Sequence, residues 1–519
     1  MSAARLNIID RTIGFFSPVA ALRRQQARHA LAYYEGAKPS KYRSTRLSNQ
    51  SPDALVNQGA AALRAHARYL ERNHDLARGA LRVLVNNVVG AAGIGVEPQP
   101  RKADGSIDFE YAQALSRAWR EWCRKPEVTH RLRWPLVQRI MAYTWLRDGE
   151  VFAQVLRGPV AGLQHGATVP LSLELLEPDF VPLDYDDAAR SIRQGIQRNA
   201  WGQPTAFWVY KTDPRDAWGA SASSFRDLKT IPAANMLHLA TLDRIHQMRG
   251  VSEFSSVLTR LEDLKDYEES ERVAAKIAAC LTAYVKRTEP AGFSAAGPAR
   301  ALDEQGNPLP RELRMEPGII IDTLQVGEDI GLIDSGRPNA NLVGWRSGQL
   351  RALAAGIGAS YSSISRDYNG TYSAQRQELV EQWIHYAVLA DEFAGMFVQP
   401  VWEAFVACAD LSGVVRRPRD VAPVDADDAL FIAQSMPWID PVKEASAWQQ
   451  LVSAGFASAP EVIRKRGQNP RDVLAQAAEW QRECADAGLH FTTTTAPEQD
   501  AGDAVREALQ DTTTERGGA

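Results

Sequence analysis

Ala354-Ala355-Gly356-Ile357-Gly358-Ala359-Ser360-Tyr361, then Ile364-Ser365-Arg366-Asp367-Tyr368 and Tyr372-Ser373-Ala374-Gln375-Arg376, is the stretch on which the fold of this chain turns. It joins two helical patterns. Residues 343–355 carry the first, and Gly356-Ile357-Gly358 stops it, since glycine tolerates the left-handed conformation that ends helices. Residues 374–409 carry the second. Ser373 is a favourable N-cap type there. Pro400 lacks an N–H and crowds the preceding turn, so it is expected to kink or break this helix.

Upstream, residues 326–342 read as a polar loop with Gly327, Gly331, Gly336, Pro338, Asn339 and Asn341. Residues 288–340 are punctuated by Pro and Gly, with Ile319-Ile320-Ile321 as a short strand candidate. Before them, residues 252–286 alternate an apolar face (Phe254, Val257, Leu258, Leu261, Leu264) with an acidic one (Glu262, Asp263, Glu268, Glu269). As one helix of about 35 residues this would be a rod of roughly 50 Å. Residues 150–245 change character. Segments 150–157, 171–176, 207–211 and 236–240 read as strands separated by turn signals. Residues 53–89, 109–124 and 134–147 are helical patterns. After Pro418 and an acidic loop (Asp425, Asp427, Asp428), three short helices are expected at 440–453, 459–466 and 470–487. The fold class is mainly α with a strand-rich insert, α+β.

The chain has 519 residues, with 59 Lys and Arg against 63 Asp and Glu, a net charge of −4. Such length can bury a large core without staples. Composition excludes collagen, disulfide miniproteins and histone-like polycations. Residues 1–50 hold nine bases and two acids, a basic arm suited to an acidic partner or to nucleic acid. Residues 491–519 hold six acids and two bases, and read as a disordered tail. Removing that tail from 63 and 59 leaves 57 of each sign. Cys123, Cys280, Cys408 and Cys484 are scattered, so four reduced, mostly buried thiols are expected rather than a zinc site or disulfides. The first residues lack a clean apolar stretch, so no signal peptide is expected. The most apolar run, 81–96, is too short to span a bilayer and contains Asn86 and Asn87.

Enzyme signatures are absent from the sequence: there is no phosphate loop of the G-x-x-x-x-G-K-[ST] type, no G-x-S-x-G elbow and no H-E-x-x-H helix. Gly93-Ile94-Gly95 reads as a helix stop rather than a dinucleotide fingerprint. Asp184, Asp186 and Asp187 lack the spacing of a calcium loop and read as a solvated turn. His238 and His246 have no acidic or thiol partner at ligand spacing and read as structural or surface residues.

Taken in order, several segments resemble the portal proteins of tailed bacteriophages, the lambda-like portal family. One is Ala67-Arg68-Tyr69-Leu70-Glu71-Arg72-Asn73 followed by Leu84-Val85-Asn86-Asn87-Val88-Val89-Gly90. Another is Met248-Arg249-Gly250-Val251-Ser252. The most specific is the opening stretch, with Gly356, Gly358, Ser365, Arg366, Tyr368, Tyr372, Ser373 and Arg376 as motif positions. A weaker echo lies in Ile439-Asp440-Pro441-Val442-Lys443-Glu444-Ala445 and Ala454-Gly455-Phe456. The resemblance spans about residues 40–490.

The resemblance implies a non-enzymatic ring, usually a dodecamer, at one capsid vertex of the virion, assembled in the host cytoplasm. Double-stranded DNA would be packaged and ejected through its channel. Implied partners are further copies of the chain, the terminase large subunit, a head-completion adaptor protein, and the major capsid and scaffolding proteins. No membrane, cofactor or metal is implied. The family order would make 1–50 a basic arm, 51–174 and 288–327 the wing, and 175–245 the strand-rich clip. It would make 246–287 a stem helix, 328–342 the tunnel loop, 343–419 wing and channel helices, 420–490 the crown, and 491–519 the acidic tail. Ser335, Arg337, Asn339 and Asn341 would be the DNA-facing candidates. A neutral channel suits this task, because a strongly cationic lining would grip phosphate at every step. Two alternatives remain: another head–tail connector or adaptor ring, against which the length speaks, and an enzyme with an unrecognised site, against which the missing motifs speak.

Overall fold

The computed structural model describes residues 50–215, 227–279, 283–287, 328–332, 339, 341–436, 440–486 and 488–489. The chain divides into two compact units, Met1–Leu55 and Val56–Ala519, the first described only over residues 50–55.

Helices α1 (Pro52–Asn73) and α2 (Asp75–Val88) are separated at His74, which adopts an extended conformation and accepts the Leu76 N–H at its ring. Strand β1 (Gly95–Pro98) follows. Helix α3 (Phe109–Trp122) starts on an Asp108 cap, and α4 (Trp134–Asp148) stops at Gly149 with φ +89°. Strand β2 (Glu150–Arg157) is the centre of an antiparallel sheet, between β3 (Leu171–Leu176) and β8 (Met236–Ala240). A second antiparallel meander runs β4 (Ile192–Arg193), β5 (Ile196–Arg198), β6 (Pro204–Tyr210) and β7 (Leu228–Pro232). Phe152, Leu176, Val181, Ile196, Phe207, Val209, Ile231 and Met236 form a core of their own between these sheets.

Helix α5 (Leu258–Ala279) leads to β9 (Ala283–Arg287), which pairs antiparallel with β10 (Glu328–Leu332), Ile330 opposite Val285. Helices α6 (Leu342–Gly356), α7 (Tyr361–Ser365) and α8 (Tyr372–Phe393) follow. A π-helical turn, Ala394–Val398, joins α8 to α9 (Gln399–Leu411). Strand β11 (Ala429–Ile432) returns to pair with β1, Val96 opposite Phe431. Three C-terminal helices, α10 (Pro441–Ser453), α11 (Ala459–Lys465) and α12 (Pro470–Asp486), complete the described chain.

The main core is aromatic at its centre. Trp119 and Trp122 stack at 4.8 Å, and Trp134, Trp402 and Phe405 close on Trp119 at 5.7, 5.3 and 4.9 Å. Residues from α3, α4 and α9 thus share one cluster; such ring pairs add about 0.5–1.5 kcal/mol each beyond the area they bury. Cys408 and Cys484 are buried and Cys123 partly so, all as free thiols, and burial pushes the Cys123 and Cys408 thiols up. No helix among the described residues is long and apolar enough to cross a membrane.

Four sequence expectations are revised. The rod expected over 252–286 is a helix of 22 residues, about 33 Å. It starts late because Phe254 and Val257 are buried in turns and the Ser252 hydroxyl takes the Phe254 N–H. Beyond it, Tyr284 and Val285 favour the extended conformation and form β9. The segment 326–342, expected to be a polar loop, contains β10, whose Asp329-Ile330-Gly331-Leu332 alternates polar and apolar in the strand period. The helix after the glycine stretch is capped by Thr371, which accepts the Ala374 N–H, and not by Ser373. The interruption expected at Pro400 falls just before it: the α-helix ends at Phe393, the π turn re-routes the backbone with the Gln399 N–H reaching back to Ala394 O, and the proline sits in the first turn of α9, where no N–H is needed. The strand candidate 319–321 lies outside the described residues.

Candidate functional site

Of the four expected DNA-facing residues, Ser335 and Arg337 lie outside the described residues. Asn339 Nδ2 donates to the Tyr267 hydroxyl on α5 at 3.1 Å, and Asn339 Oδ1 accepts the Asn341 N–H at 3.0 Å. The Tyr267 ring lies 4.3 Å from Trp345 on α6, and Arg346 Nε donates to Glu268 at 2.6 Å. The chain therefore enters α6 already fastened to α5. Asn339 is half-buried in this tether, whereas Asn341 is exposed.

The glycine stretch packs α6 closely against its neighbours. A Cβ on Gly356 would lie 2.5 Å from Val257 Cγ1. Gly358 has φ +66°, and a Cβ there would lie 2.4 Å from the His385 ring. Ser360 Oγ caps α7 by accepting the Ser363 N–H, and the Ser360 N–H donates to Gln382 of α8 at 3.0 Å. Ser365 Oγ donates to Tyr361 O at 2.7 Å and accepts the Asp367 N–H. Arg366 ends α7 in the left-handed region with φ +59°, and its guanidinium reaches the Tyr368 hydroxyl at 3.4 Å. The motif therefore splits by role. Gly356, Gly358 and Ser365 hold the α6–α7–α8 corner, while Arg366, Tyr368, Tyr372, Ser373 and Arg376 are exposed.

A buried charge cluster was not foreseen. Glu150 opens β2 fully buried, and Arg249, also fully buried, donates from Nε to both its carboxylate oxygens at 2.9 Å. Arg64 of α1 donates to Glu150 at 2.9 Å and to Asp179 at 3.0 Å; Arg68 donates to Asp148 and Asp179, each at 2.6 Å. His238, opposite Phe152 on β8, brings Nε2 to 3.0 Å from Glu150. Its acidic partner sits 88 residues away in sequence, which spacing alone could not reveal. Arg249 spends its remaining N–H groups on the carbonyls of Gln194 and Val181, at 2.7 and 3.0 Å. Two glycines permit the approach: a Cβ on Gly149 would lie 2.2 Å from Val251 C, and one on Gly250 would lie 2.0 Å from Gly149 O. Burial alone would raise the Glu150 carboxyl, but Arg249, the His238 hydrogen bond and Arg64 outweigh it and hold it well below the usual carboxylate range. Asp179 is held down in the same way by Arg64 and Arg68. The sequence signal was a charged residue immediately before the apolar run Val151-Phe152-Ala153, which has to find a partner if it is buried with that run.

The remaining candidates are ordinary structure. Gly93 has φ +79°, and the Ile94 N–H and C=O are both held by the Gln138 amide. Asp187 accepts the Ala189 and Arg190 N–H groups, and Asp186 the Gln194 N–H. His246 is exposed. No group of three His, Cys, Asp or Glu side chains among the described residues is placed to hold a metal.

The glycine-stiffened helix corner and the buried ion cluster both serve the architecture of an α+β subunit. The model of "Phage portal protein, lambda family" matches residues 38–389, and the chain belongs to that family. It is 23% identical over 463 residues to the probable portal protein of Halomonas phage phiHAP-1, covering 84% of this chain and 85% of that one. It is 22% identical over 478 residues to portal protein B of Escherichia phage lambda, covering 86% and 88%. Among solved structures it is similar to a chain in the neck of a native gene transfer agent particle computed with C12 symmetry, with 11% identity, a TM-score of 0.39, and coverage of 82% and 95%. Its function is that of a portal protein, a subunit of a homo-oligomeric ring in the virion.

Proposed function

We propose that twelve copies form a ring at one capsid vertex, through which double-stranded DNA enters during packaging and leaves during ejection. The ring would first seat the terminase large subunit and then the head-completion adaptor, with the major capsid and scaffolding proteins around it during assembly in the host cytoplasm. The chain would catalyse nothing; the motor would belong to the terminase. Membership of the portal family over residues 38–389 carries this reading. The tether from Asn339 to Tyr267 supports the loop assignment, because it fixes the C-terminal root of the expected tunnel loop on α5 while leaving residues 333–338 between two anchored ends.

Contact with DNA at that loop would be weak. Arg337 is the only cation from residue 328 to 342, so each subunit offers little phosphate attraction and the duplex can slide. The test replaces residues 334–338 with a Gly-Gly link. Rings of normal size should form by negative-stain microscopy, while packaged DNA falls in an in vitro packaging reaction. Loss of ring assembly would remove the loop from the channel. A full-length chain that stays at 57.2 kDa by mass photometry under all conditions would overturn the ring itself.

A further inference from the structure

A head-to-tail contact repeated around an axis joins two different patches, so a ring subunit must present two complementary faces. Two rows of exposed aliphatic side chains meet that need. On α8, Val380, Ile384 and Val388 recur every four residues and are exposed, Ile384 at 65%. Glu381, Asp391 and Glu392 are exposed beside them. On α4, Leu136 and Ile140 are exposed at the same spacing, with Arg133 and Arg139 as their neighbours. Single exposed aliphatics are common, but a row at helical spacing is normally the face that a helix buries.

The two rows also open in different directions. Trp134 of α4 stacks on Phe397 of the π turn at 5.3 Å, and Trp145 lies 6.1 Å from Phe393 at the end of α8. These helices pack through their inner sides, where α8 also buries Tyr386 and Leu389. Each aliphatic row lies on the other side of its helix. The α8 row is flanked by three exposed acids against one exposed base, Arg376 at its N-terminal end, and the α4 row by the exposed Arg133 and the half-buried Arg139, so the two match in net charge as well as in apolar character.

We infer that the acid-flanked row of α8 docks on the arginine-flanked row of α4 in the next copy of the chain. The inference rests on the ring reading above. The test uses the full-length chain carrying Val388→Cys together with Ile140→Cys. Mild oxidation should give a ladder of covalent multimers extending to the ring size, read on a non-reducing gel against the unsubstituted chain as the background for native cysteines. An equal mixture of the two single variants should stop at covalent dimers. In parallel, Ile384→Glu should raise the monomer fraction at least tenfold by mass photometry with an unchanged circular dichroism spectrum, and adding Ile140→Lys should restore rings. Rings that form without a ladder, or that tolerate Ile384→Glu, overturn this pairing and leave the ring reading standing. An unsubstituted chain that makes no rings removes both.

Discussion

Glu150 and Arg249 illustrate how much one buried pair decides. Neither is exposed to solvent; Arg64 and His238 touch Glu150, and Asp179 pairs with both Arg64 and Arg68, so no formal charge is left alone. Removing one partner strands the other in a low-dielectric interior. Arg249→Ala is expected to cost about 3–5 kcal/mol, measured by urea denaturation of the dissociated chain. The pH dependence has a definite sign. The folded pKa of Glu150 lies below its unfolded value, so its contribution is fully present above the unfolded value, about 4.3, and is lost as pH falls from there toward the folded value. Thermal melts from pH 7 to pH 3 should therefore lose stability more steeply in the wild type than in Glu150→Gln; parallel slopes would contradict the assignment. At this scale the sequence was half legible. Met248-Arg249-Gly250 stood out as a motif, and Glu150 as the start of a strand, but their meeting depends on two glycines and on a fold that brings residues 99 apart within 2.9 Å.

Elements were legible where periodicity was long or regular. Strands β2, β3 and β8 fall where their alternating or continuous apolar runs placed them, and so does the helix 134–148. Strands β4 and β5, at two and three residues, are too short to show a period, and β1 and β11 exist only because they find each other across the chain. Helix α8 shows the limit of reading caps from residue type. Thr371, Tyr372 and Ser373 offer two hydroxyl caps two residues apart, and Thr371 is the one with the extended backbone and the bond to the Ala374 N–H. Thr371→Ala should lose about 1 kcal/mol, whereas Ser373→Ala should change stability by less than about 0.5 kcal/mol, both read from chemical denaturation. At the C-terminal end, α10 and α11 bury no residue, and Val442 and Phe456 are exposed at 75% and 82%.

For the whole molecule, the charge balance acquires a purpose. A net charge of −4 would disfavour a protein that clings to nucleic acid, but it suits one that lets a duplex pass, and the deficit resides in residues 491–519. Purified rings should show no ATP hydrolysis above the buffer blank in a phosphate-release assay, with or without DNA; turnover that follows the ring through gel filtration would contradict the proposal that the motor belongs to a terminase. Length was legible as enough to bury a large core, and the β1–β11 pairing and the Arg464–Glu97 ion pair at 2.8 Å join residues 95–98 to residues 429–432 and 464, more than 330 positions further along the chain. The buried ion cluster also sets an order in time. During synthesis Glu150 is made well before Arg249; at about 5–20 residues per second, the separation of 99 positions corresponds to roughly 5–20 s. Over that interval the nascent β2 carries a carboxylate that cannot yet be enclosed. Its pairing with Arg64 needs only residues already made, whereas the native enclosure of Glu150 also needs Arg249 and is completed only after that residue has been synthesised.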